Sequence, residues 1–156
     1  MFVDGHLEKI ERIERQRATL DPIADYELWY FASLMNGMHA MNAALHALGA
    51  TVAEDCFAHN VPVYVRAGAE PGTWEAVIRP FGDLEHVDGA DIMAIIPDAL
   101  APARDALLEL ETVRDPGLRG DLEITVALAS KVEAAYGACL ANAQAVIAKA
   151  GGDAGP

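Results

Sequence analysis

From Leu28 to Ala53 the chain carries no Asp, Glu, Lys or Arg, although 22% of the whole sequence is charged. A run of that kind is either a bilayer span or the buried helix of a core. This one also contains Ser33, Asn36, His39, Asn42 and His46. Amides and imidazoles in hydrocarbon need partners on a second span, and no second charge-free run of that length exists to supply them. The feature therefore predicts the central helix of a soluble, mainly α-helical bundle with no membrane partner.

At 156 residues and 53% hydrophobic content the chain is long enough to close one core without disulfides or a structural metal. The expected organisation is one helical domain over residues 1–150, followed by a short flexible tail over 151–156, GGDAGP. Eleven Lys and Arg against twenty-four Asp and Glu give a net charge of -13, which opposes binding to nucleic acid and to anionic lipid. Lys9, Arg12, Arg15 and Arg17 form the one basic cluster, and Glu8, Glu11 and Glu14 are interleaved with it. Two distant cysteines, Cys56 and Cys139, and an N-terminus without an apolar signal segment point to a reducing, cytoplasmic location.

Val3, Leu7, Ile10 and Ile13 recur at helical spacing and mark a first, surface helix. Asp21-Pro22 is a helix-start signal and Gly49 a stop, so the central helix is expected between Pro22 and Gly49. Prolines and glycines then concentrate. VPVYVRAG and TWEAVIRP, separated by Ala69-Glu70-Pro71-Gly72, predict a small β-hairpin or irregular insertion at about 60–82, restricted by Pro62 and Pro80 to edge pairing. Leu100, Ala103, Leu107, Leu110 and Val113 mark a further helix that should end before Asp115-Pro116-Gly117. Asp121 would then cap a last long helix with the stripe Leu122, Val126, Ala129, Val132, Tyr136, Leu140, Ala143 and Ile147. The total is a bundle of about four helices.

The candidate chemistry lies on the central helix. With His39 as origin, His46 falls near about -20°, Met35 near about -40°, and Asn42 and Asn36 near about -60° and +60°. Asn36, His39, Asn42 and His46 thus share one uncharged polar face, opposite Tyr30, Leu34, Met41, Leu45 and Leu48. Such a face suits a buried hydrogen-bond network or a subunit interface, since uncharged polar groups are cheaper to bury than charges. It also suits a pocket wall in which an imidazole moves a proton and the amides orient a ligand. His39 and His46 stand two turns apart, about 10 Å along the axis, so they do not share one ion, and no metal and no cofactor is expected.

Other groups are less specific. Cys56 and His59 are three apart with no second pair to complete a metal set. Asp83, Glu85, His86, Asp88 and Asp91 crowd one loop without the EF-hand spacing, as expected of a solvated acidic loop. Arg119-Gly120-Asp121 is explained by helix capping. The helical outline resembles HEPN-type four-helix proteins, some of them RNases with an arginine and a histidine a few residues apart, a spacing that Arg79 and His86 meet. In that family the pair lies around a helix, whereas Pro80 and Gly82 break one.

Two functions follow as expectations. The first is a non-catalytic interaction or small-ligand-binding protein acting as a homo-oligomer, most simply a dimer held by Ala-rich helix faces. The alternative is an enzyme, an acid–base hydrolase or HEPN-like RNase, whose pocket is lined by the His39, Asn42 and His46 face.

Overall fold

The computed structural model describes residues 1–53, 56–60, 63–78, 82–120 and 122–153, with backbone alone for 56–60 and 153. Pro62, Asp121, Arg79, Pro80 and the side chains of Cys56 and His59, all weighed above, lie outside the described residues. The order is α1 (Val3–Arg17), α2 (Tyr26–Ala47), β1 (Cys56–Asn60), β2 (Val63–Ala67), β3 (Trp74–Ile78), α3 (Ala90–Met93), a 3-10 turn (Asp98–Leu100), α4 (Ala101–Arg119) and α5 (Val126–Asp153). The fold is the mainly helical bundle expected, with four long helices and a small antiparallel sheet. No helix among the described residues is long and apolar enough to cross a membrane.

Helix α2 is the spine and packs against α1, α4 and α5. Its core residues include Trp29, Tyr30, Leu34, Met38, Met41 and Leu45, all at most 4% exposed. Leu48, assigned above to the apolar back, caps the helix and is 40% exposed. The helix begins four residues after Pro22, because Asp21 first closes a turn by accepting from the backbone N–H groups of Ile23 and Ala24 at 2.8 Å. It ends as expected, with Gly49 at φ +67° supplying the left-handed residue. Gly37 lets α4 approach closely: a Cβ there would come within 2.8 Å of Leu107 Cδ2.

Helix α4 runs through Asp115, Pro116 and Gly117 to Arg119, correcting the end expected before those residues. One proline removes a single backbone bond, while Gly117 lies buried against the Tyr26 ring and Leu118 packs on the core, so burial carries the helix onward. The expected hairpin is present, β2 and β3 pairing from Val63↔Ile78 to Ala67↔Trp74 across a turn closed by Gly68 N–H to the Thr73 carbonyl. A third strand, β1, pairs on the other edge of β2, beyond the two strands that the sequence pattern predicts. Helix α5 continues through Gly151 and Gly152 to Asp153 instead of fraying at 150. Its buried side is Ala129, Val132, Ala135, Tyr136, Cys139, Ala143 and Val146.

Candidate functional site

The four polar positions of α2 divide into two groups. Asn36 lies in a network that ties three helices together: its Nδ2 donates to Tyr136 Oη at 2.7 Å and to the Ile10 carbonyl at 3.3 Å. Tyr136 donates to Glu14, and burial with that carboxylate beside it pushes the phenol well above its ordinary range. Arg17, only 5% exposed, joins the same region. It donates to Ser33 Oγ at 2.7 Å, pairs with Glu133, and lies over the Trp29 and Tyr136 rings at 4.8 and 4.2 Å. The surface basic cluster expected from sequence thus loses Arg17 to the core, one turn below Ile13 on the buried face of α1.

The second group, His39, Asn42 and His46, meets residues from two other segments. Asn42 clamps the chain after the sheet as a backbone strand would, its Nδ2 donating to the Leu84 carbonyl at 2.9 Å and its Oδ1 accepting from Leu84 N–H at 2.8 Å. That clamp sets Asp83 against α2. Asp83 Oδ1 lies 2.8 Å from His46 Nε2, 3.3 Å from His6 Nε2 and 2.7 Å from the Met1 ammonium. Asp83 is 5% exposed and His6 1%, so the loop carboxylate expected in solvent is buried in a cluster. Its neighbours Glu85, Asp88 and Asp91 do face solvent, and His86 pairs with Glu111 at 3.0 Å.

Burial alone would raise the Asp83 carboxyl, but hydrogen bonds from His46, His6 and the Met1 ammonium outweigh it and hold the group well below the carboxylate range. Burial lowers His6, partly offset by Asp83, and lowers His39 to about 4, helped by His6 beside it. These states fix the protons. An ionised Asp83 only accepts, so His6 donates from Nε2, and a neutral His6 then accepts at Nδ1. His39 Nδ1, 3.0 Å from His6 Nδ1, must be the donor. The His39 Nε2 lone pair is left with no protein partner among the described residues. At the other end, the Thr51 hydroxyl lies 2.7 Å from His46 Nδ1, closing a chain Thr51–His46–Asp83–His6–His39.

The free end of that chain opens on a cavity of about 580 Å³. Its lining combines the apolar Phe31, Leu34, Met35 and Met38 with the polar His6, His39, Asn42 and Asp83 and the cations Lys9 and Arg114. None of Asn36, Ser33, Arg17 or Tyr136 lines it. Sequence periodicity finds His39, Asn42 and His46. It misses His6, although His6, Ile10, Ile13 and Arg17 form one inward stripe, and it offers no signal for the burial of Asp83 or Thr51. Compared with known proteins, the chain matches no protein-family model, no curated protein and no solved structure.

Proposed function

We propose that the cavity binds a small, partly apolar molecule and that His39 serves it as a proton acceptor, with His6 and Asp83 as positioning residues behind. One observation carries this: a buried carboxylate–imidazole chain terminates at an unpaired ring nitrogen on a cavity large enough for a ligand. A neutral imidazole held in one tautomer, here by His6 and behind it Asp83, keeps one ring nitrogen available as an acceptor across neutral pH. The net charge of -13 supports a small-molecule partner over nucleic acid.

Diethyl pyrocarbonate, which acylates only unprotonated imidazole nitrogen, tests the assignment directly. In chelator-treated protein at pH 5.5, where ordinary imidazoles are mostly protonated, His39 should be modified at least about ten times faster than His86. Saturating 8-anilinonaphthalene-1-sulfonate, an apolar body with an anionic end for Lys9 and Arg114, should protect it. The Met35→Trp variant, which fills the cavity, should lose both dye binding and protection. Equal modification of His39 and His86, or dye binding indifferent to Met35→Trp, contradicts the proposal.

A second reading, self-association, is favoured by the outward stripe Ala134, Ala138, Ala141 and Ala145 on α5, all exposed, along which another helix has room to approach. Light scattering at micromolar concentration should give a mass above 16.6 kDa, and a strict monomer removes this reading.

A further inference from the structure

His6, His46 and Asp83 each offer one ligand atom, these atoms lie within 4.8 Å of one another, both Nε2 atoms approach Asp83 Oδ1, and each residue is buried. We infer that these three atoms form a binding site for one divalent ion of the zinc class, with its open coordination position toward the cavity. The site goes beyond the acceptor role of His39 in the ion-free protein, does not depend on it, and replaces it when filled.

Geometry, orientation and donor chemistry agree. Tetrahedral ligands at about 2.0–2.1 Å from zinc stand about 3.3–3.4 Å apart. The two approaches to Asp83, at 2.8 and 3.3 Å, already have that scale, and the third edge is within 4.8 Å. Both imidazoles are oriented from behind, as metal-bound histidines are, through the nitrogen that does not face the ion. Thr51 Oγ1 holds His46 Nδ1 at 2.7 Å and His39 Nδ1 holds His6 Nδ1 at 3.0 Å. Asn42 secures the carboxylate by fixing both backbone groups of the next residue. Two neutral nitrogens and one carboxylate oxygen favour zinc, cobalt or iron over calcium or magnesium, which take oxygen sets. His6 and Asp83 line the cavity whereas His46 lies behind them, so a fourth ligand, water or substrate, arrives from the cavity side.

The ion displaces the Met1 ammonium from Asp83 Oδ1 and reorganises the protons without net release from the imidazoles. His46 and His6 give up Nε2 as ligands and carry hydrogen on Nδ1. His46 then donates to Thr51 and His6 to His39 Nδ1, so His39 holds its proton on Nε2. Occupancy thereby turns the cavity-facing nitrogen from acceptor to donor.

Cobalt(II) is the probe, because its visible absorption reports coordination. Chelator-stripped protein titrated with cobalt should bind one equivalent and develop d–d bands that zinc abolishes. His6→Gln and His46→Gln, which keep a side-chain N–H for Asp83, should weaken cobalt by at least about 100-fold while circular dichroism shows the fold retained. His39→Gln removes only the orienting hydrogen bond and should weaken it by about 10–100-fold at unchanged stoichiometry. Wild-type protein that binds no cobalt, or glutamine variants that bind it as wild type does, overturns the ion site and leaves the cavity proposal standing. Cobalt binding with normal dependence on His6 and His46, but without selective acylation of His39 in stripped protein, removes the cavity proposal alone.

Discussion

Two polar networks cross α2 within about three turns of each other, and they end differently. Around Asn36, side-chain donors end on protein groups: Asn36 on Tyr136 and the Ile10 carbonyl, Tyr136 on Glu14, Arg17 on Ser33 and Glu133. Around His46 the chain also starts on protein, at Thr51, yet runs through Asp83 and His6 to His39, which lines the cavity and whose Nε2 has no protein partner among the described residues. Burial of polar groups therefore does not mark function by itself. Asn36 Oδ1 is also without a partner but is buried, so the distinguishing feature of the second network is that its last member lines a cavity.

The largest expected effect falls on the closed network. Arg17→Met deletes a buried cation together with its hydrogen bond, ion pair and two aromatic faces, and should lower unfolding free energy by about 3 kcal/mol in urea titrations. Selective acylation of His39 and cobalt binding should persist in it. Loss of either would join the two networks that the comparison separates.

Acid should act mainly through the open network. His39 titrates at about 4 in the fold against 6.5 in the unfolded chain, so between those values the folded protein binds fewer protons. Stability then falls as pH drops through that window, by about 2 kcal/mol from pH 6.5 to 4.5. The lowered Asp83 acts further down, its contribution being present above the unfolded value of 3.8 and lost below it. His39→Gln should make the slope above pH 4.5 shallower, the lowered His6 supplying what remains, whereas Asn36→Ala should run parallel to wild type. Smaller still, Asn36→Ala should cost about 1–2 kcal/mol at pH 7, because the buried Tyr136 oxygen is deprived of its donor, with dye binding unchanged.

Much of the scaffold was legible from local pattern. The charge-free run marks α2, Gly49 its end, and the Ala69–Gly72 punctuation the turn between β2 and β3. The end of α4 is misread from sequence because Pro116 and Gly117 are local signals, whereas the burial that overrides them comes from Tyr26 on another helix. The site shows the same division. Helical angles place His39, Asn42 and His46 on one face, but His6 meets Asp83 across 77 residues, and no periodicity encodes that pairing. The spacing of His39 and His46 argues against a shared ion only for ligands drawn from one helix. Here His46 finds its companions on α1 and on the loop before α3.

Heteronuclear NMR of ¹⁵N-labelled histidines at pH 6.5, in chelator-stripped protein, tests the central claim most directly, because the ring nitrogen shifts report each tautomer. The proton chain requires neutral His39 on the less common Nδ1–H form, neutral His6 on Nε2–H, and exchange of both assignments when one equivalent of zinc is added. His39 found as Nε2–H or as imidazolium in the stripped protein would contradict the account, since its cavity-facing nitrogen would then have no lone pair to offer.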